Sequence, residues 1–167
     1  KKYDVLPADI KWHFLGHLQS NKIKYIAPFV HLIHSIDSYK LLQEVNRHGE
    51  KHSRKIGCLL QIHIAQEETK FGFTPEECIA MLAAGEWRTL ENVEIRGIMC
   101  MASNTEDENQ IAKEFAEVQK LFNDVKANFF AGNDNFNILS AGMSDDYPIA
   151  INYGSTHIRV GSKIFND

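Results

Sequence analysis

The chain has 167 residues, enough for one core of ordinary size, and its apolar and charged fractions of 44% and 24% are those of a globular protein in water. A formal net charge of −4 gives no case for nucleic acid or an acidic membrane surface, and the apolar runs are too short to span a bilayer. Cys58, Cys78 and Cys100 are odd in number and lack paired metal spacing; Cys58 and Cys100 lie in apolar strand-like runs, which suggests buried reduced thiols and, with no signal peptide visible in the polar, charged N-terminal residues, a cytoplasmic setting.

Taken in order, Lys1 to Ile10 is a lead-in carrying Pro7, and Ile10 to Leu15 reads as a strand closed by Gly16. Leu18 to Phe29 is expected to be a helix, and Phe29 to Ile36 a second strand holding His31 and His34. Asp37 or Ser38 caps a helix from Tyr39 to His48, with Leu41, Leu42 and Val45 at helical spacing. Gly49 to Lys55 is a charged loop before the apolar strand Ile56 to Ile64. Thr74, Pro75 and Glu77 form a capping box that opens a helix reaching Ala84. Val93 to Met101 is a strand broken at Arg96 and Gly97. A long helix starts between Asn104 and Asp107 and ends near Asn128, with Ile111, Phe115, Val118 and Phe122 as one stripe. The acidic run Glu106 to Glu108 complements the dipole at its start. Trp87 lies on a loop and points to nothing by itself.

About six strands alternate with amphipathic helices, which predicts a parallel sheet covered by helices. That count is low for a closed eight-strand barrel and also fits an open doubly wound sheet.

The last third holds the chemistry. Two apolar runs, Ile138-Leu139 and Ile158-Arg159-Val160, each lead into small residues: Ser140-Ala141-Gly142-Met143-Ser144 and Gly161-Ser162. Between them Pro148 to Asn152 reads as a short helix capped by Ser144 or Asp145. Small residues just past strand ends bring backbone N–H groups close to an anion, so the pair suggests a phosphate cup; ordinary strand-to-helix turns have the same composition. Arg159 inside an apolar strand needs a partner, either a bound anion or ring nitrogen, or a structural ion pair with Asp145 or Asp146.

Several segments together resemble one family. They are Trp12-His13-Phe14-Leu15-Gly16-His17-Leu18-Gln19-Ser20-Asn21-Lys22, His34-Ser35-Ile36-Asp37, Gln61-Ile62-His63-Ile64 with Lys70-Phe71-Gly72, Arg96-Gly97-Ile98-Met99, Leu139 to Asp146, and Gly154 to Gly161. This pattern is similar to the YggS/PROSC family of pyridoxal 5′-phosphate (PLP) homeostasis proteins. The resemblance implies a PLP-binding (β/α)8 barrel like the N-terminal domain of alanine racemase, with a non-catalytic role in PLP homeostasis. The rival reading is a PLP-dependent, racemase-like enzyme, which would need an acid/base partner opposite the cofactor.

By resemblance, Ser144, Gly161 and Ser162 hold the phosphate, Arg159 faces the pyridine nitrogen, and Met143 and Met99 lie beside the cofactor. The family's Schiff-base lysine sits at the end of its first strand. The resemblance therefore places that lysine and the first two β/α units N-terminal to these 167 residues, which are expected to be one incomplete barrel domain, 1–167, with about six of eight strands. Open barrel edges then suggest association, with the oligomeric state left open. Lys70 is a candidate substitute lysine, although a solvated loop lysine fits its surroundings better. His13 and His17 lack the further ligands of a metal pair. His31, His34 and His63 read as polar rungs inside a barrel or at its mouth. His157, two residues before Arg159, shares its face and is a candidate for the pocket wall.

Overall fold

The computed structural model describes residues 3–64 and 71–165. Six strands carry the fold: β1 (Trp12–Phe14), β2 (Val30–Ile36), β3 (Ile56–His63), β4 (Val93–Met101), β5 (Ile138–Met143) and β6 (His157–Arg159). They pair in chain order, every neighbouring pair parallel. A doubly wound sheet would switch its strand order; this one never does, so the architecture is a half-barrel of the (β/α) type.

The connecting helices are α1 (Ile23–Ile26), α2 (Tyr39–Lys51), α3 (Pro75–Ala84), α4 (Glu108–Phe129), α5 (Tyr147–Asn152) and α6 (Ser162–Phe165). Ser38 caps α2 by accepting from Leu41 N–H. The capping box opens α3 as expected: Glu77 N–H donates to Thr74 Oγ1, and Thr74 N–H donates to the Glu77 carboxylate. Asp107 caps α4 through the N–H groups of Asn109 and Gln110. Ile111, Phe115 and Val118 of α4 are buried with Leu121 and Val125, while Phe122 is half-buried.

The structure corrects several boundaries. The helix expected over Leu18 to Phe29 is a 3-10 turn at Ser20–Lys22 followed by the single turn of α1, which has no side-chain cap and stops before Pro28. In contrast, α2 runs through Gly49 into the expected loop. Gly49 fits there because it lacks a side chain: an added Cβ would sit 2.8 Å from the Asn92 carbonyl oxygen.

Strand β4 is continuous across Arg96 and Gly97. Its register against β3 passes from Cys58↔Ile95 to Leu59↔Gly97, so Arg96 is an inserted bulge residue. Strand β5 runs through Ser140, Ala141 and Gly142, so the first small-residue segment is strand, not turn. Neither Ser144 nor Asp145 caps α5; Asp146 stands at that position, and its carboxylate accepts from Met143 N–H instead of the helix.

The main core lies between sheet and helices. A smaller cluster of Leu32, Leu59, Met99 and Ile138, one residue from each of β2 to β5, fills the concave face. Cys58, Cys78 and Cys100 are buried free thiols. Among the described residues, no helix is long and apolar enough to cross a membrane.

Candidate functional site

Above the inner apolar cluster the concave face turns polar. Alternation in β6 points His157 and Arg159 the same way, with Ile158 exposed between them. The Arg159 guanidinium donates from Nη1 to Ser140 Oγ at 2.9 Å and from Nη2 to the Cys100 carbonyl at 2.8 Å. The expected alternative, an ion pair with Asp145 or Asp146, is not what holds it. Among the described residues, two of its five N–H donors are used, both on these neutral oxygens.

Arg159 lines a cleft at the C-terminal ends of the strands with Met99, Met101, Gln61, Phe71, Leu15, Gly16 and His17. Burial lowers the guanidinium pKa below its ordinary value, opposed by Cys100 and then Asp146. Met99 is buried and Met101 exposed. Gln61 is buried and donates to the Phe71 carbonyl, which fixes one wall. His17 sits against the Phe71 ring, 4.4 Å between centroids, with Nδ1 3.4 Å from Asp37 Oδ2.

A file of histidines runs from this cleft across the interior. Ser140 Oγ meets His34 Nδ1 at 2.9 Å, and His34 Nε2 meets His13 Nδ1 at 3.0 Å. The His13 ring in turn faces those of His31 and His157, with centroids 5.8 and 6.3 Å away. Burial, then the nearby His13 and Arg159, push the pKa of His34 down to about 3, so it is neutral at pH 7. His13 and His31 are lowered as well, first by burial, then by the neighbouring His31 and His157 for His13 and by Arg96 for His31. The expected polar rungs are there at His31 and His34, and His13 joins them. His63 is half-buried at the end of β3.

Ser144 is buried, and its Oγ accepts from Gly161 N–H at 3.4 Å, which brings the two small-residue segments together. Ser162 begins α6 directly after Gly161. Open space lies where a Gly161 side chain would be: among the described residues, no heavy atom beyond Gly161 and its two chain neighbours comes within 4 Å of an added Cβ. The residues thus suit a phosphorylated ring compound, with a small-residue cradle beside Gly161 and Ser144 and a donor-rich guanidinium in the adjoining cleft. Met143 is exposed and lines a neighbouring cleft with Asp145 and Asp146, apart from Met99.

Lys1, Lys2 and Lys70 lie outside the described residues. Sequence reasoning missed the link between Ser140 and His34, which are 106 residues apart. It also missed buried Glu114 on α4, whose carboxylate accepts from the N–H and hydroxyl of Ser103, each at 2.7 Å, and so ties α4 to the segment after β4. A carboxylate inside the apolar face of α4 was the available signal.

The family model described as alanine racemase, N-terminal domain, matches residues 6–167. A pyridoxal phosphate homeostasis protein of Helicobacter pylori is 35% identical over 168 residues, covering 100% of this chain and 72% of that protein. One from Schizosaccharomyces pombe is 33% identical, covering 99% of this chain and 68% of its own length. Among solved structures, PipY of Synechococcus elongatus without PLP superposes with a TM-score of 0.88 at 31% identity, covering 99% of this chain and 75% of that one. PipY with PLP bound gives a TM-score of 0.85.

Proposed function

The chain belongs to the alanine racemase N-terminal domain family, and from that premise we propose that it binds pyridoxal 5′-phosphate and serves PLP homeostasis without catalysing a reaction of its own. The observation that carries this reading is the pairing of the Ser144–Gly161 cradle with Arg159 in the adjoining cleft. Ser144, Gly161 and Ser162 hold the phosphate through a hydroxyl and backbone N–H groups. Arg159 faces the ring nitrogen with its spare donors, Met99 packs at the ring, and Met143 sits at the rim. The relatives named for PLP homeostasis and the PLP-bound PipY structure support the same ligand.

When bound, PLP supplies an amine-reactive aldehyde and an electron-withdrawing ring. A guanidinium at the ring nitrogen repels a proton there, which weakens that withdrawal and suits a carrier better than a racemase. Among the described residues, the lining of the cleft includes no lysine. Residues 1–167 act in this reading as one barrel unit, and the outer edges of β1 and β6 are where further strands or another copy would pair. The three buried thiols suit a reducing, cytoplasmic setting.

The test is titration of the chain with PLP, followed by absorption, with borohydride reduction and peptide mapping. Binding that weakens about tenfold or more in both Arg159→Ala and Ser144→Ala is expected, the size of losing one or two charge-assisted contacts. A chain that is folded by circular dichroism and leaves the PLP spectrum unchanged would refute the reading. Racemisation of alanine by the loaded chain, abolished in Arg159→Ala, would favour the enzyme instead.

A further inference from the structure

The Arg159 guanidinium only donates, since it has no acceptor and does not lose its proton at working pH. Ser140 Oγ therefore accepts from it. The Ser140 hydroxyl is fully buried, and among the described residues its one proton has a single acceptor, His34 Nδ1 at 2.9 Å. A buried hydroxyl that gave its proton to nothing would be costly. So His34 Nδ1 is the bare nitrogen and Nε2 carries the hydrogen. That hydrogen points at His13 Nδ1, 3.0 Å away, which accepts. The donor–acceptor sense of the whole file follows from the fixed character of one guanidinium.

From this we infer that Ser140 and His34 are positioning residues for the cofactor site, forming with His13 a one-directional hydrogen-bond chain, Arg159 to Ser140 to His34 to His13, that holds the Arg159 guanidinium in one orientation at the cleft. The chain joins β6 to β5, crosses the concave interior to β2, and ends on β1. Strands β5 and β2 are not neighbours in the sheet, so backbone pairing alone does not fix this alignment. A second anchor, the Cys100 carbonyl of β4, holds the other guanidinium nitrogen. Two fixed contacts on one planar group set its plane, where a single contact would let it pivot. The role assigned to this chain rests on the reading that Arg159 meets PLP.

Two measurements test it. Long-range nitrogen–proton correlation spectra of the ligand-free chain read the histidine tautomers directly. At neutral pH, His34 is expected with its proton on Nε2 and a bare Nδ1, and Ser140→Ala is expected to remove that fixed assignment. A His34 that carries its proton on Nδ1, or on both nitrogens, would overturn the chain. PLP titration then reads the positioning. Ser140→Ala and His34→Phe are each expected to weaken PLP about tenfold and to shift the bound spectrum, the size found for groups that orient a ligand-binding side chain. Ser140→Thr and His34→Gln keep an acceptor and a donor, and are expected to stay within about threefold of the parent. Equal affinity and an unchanged spectrum in Ser140→Ala would overturn the inference. If the parent chain binds no PLP at all, the functional reading fails by itself, and the tautomer of His34 alone upholds or overturns the hydrogen-bond chain.

Discussion

Two glycine-to-alanine substitutions separate the scaffold from the site. Gly97 pairs with Ile138 at the start of the β4–β5 ladder, where Ile98↔Leu139 and Met99↔Ser140 follow. Its φ is 152°, and an added Cβ would lie 1.8 Å from the Ile138 carbonyl oxygen, against the 3.4 Å or more of ordinary contact. Nothing flexible absorbs the clash, since the obstacle is backbone. The strands must part, which weakens up to three pairs at about 1 kcal/mol each, and backbone strain adds roughly 1 to 3 kcal/mol. Gly97→Ala is therefore expected to lose about 4 kcal/mol or more in urea denaturation followed by circular dichroism, a large share of a typical domain's stability. Gly161→Ala is the control: its Cβ enters open space, so stability should stay within about 0.5 kcal/mol, while PLP affinity should fall about tenfold because the methyl would enter the proposed phosphate site. The reasoning is refuted if Gly97→Ala costs under about 1 kcal/mol, or if Gly161→Ala destabilises as much as Gly97→Ala.

Acid should reveal His34. Its folded pKa of about 3 lies below the ordinary histidine value, so the unfolded chain takes the proton first; stability from this group is full above about pH 6.5 and falls toward pH 3, by roughly 2 kcal/mol at about pH 5. Urea midpoints measured against pH should show that slope reduced in His34→Gln relative to the parent. Glu114→Ala takes the carboxylate from the Ser103 N–H and hydroxyl inside the structure and is expected to cost about 3 kcal/mol by the same denaturation assay. Thr74→Ala removes half of the α3 capping box for about 1 kcal/mol, read as a lowered melting temperature. Cys58, Cys78 and Cys100 should resist a thiol reagent while the chain is folded and all react in denaturant, because burial raises each thiol pKa and closes off access.

The sequence made the helices with strong local signals legible. The Thr74-Pro75-Glu77 box and the stripe of α4 both fell where local chemistry placed them, because caps and periodicity act over a few residues. The failures share a cause. Gly49 stays helical and Arg96 bulges within an unbroken β4 because of contacts with Asn92 and β3, which no local pattern encodes. At the site, Arg159 was legible as a misplaced charge, and Ser144 and Gly161 as members of a small-residue pair. Its partners within the chain were not: Asp145 or Asp146 stood as the alternative to a bound anion or ring nitrogen, whereas the structure delivers Ser140 and the Cys100 carbonyl.

Because each strand pairs with the one just before it in the chain, the ladder can grow in the direction of synthesis, each emerging β/α unit adding to an edge that already exists. The contacts inside the concave face follow a different timetable. Ser140 meets His34 across 106 residues, and Arg159 meets Cys100 across 59. The first closure needs β5 and the second needs β6, so a nascent chain stopped before β6 has most of its ladder and the residues of the Ser140–His34 contact, and lacks Arg159 altogether. A chaperone or protease meeting such an intermediate would find ordered secondary structure without the guanidinium proposed to face the ligand, and the proposed site would be completed in a single late step.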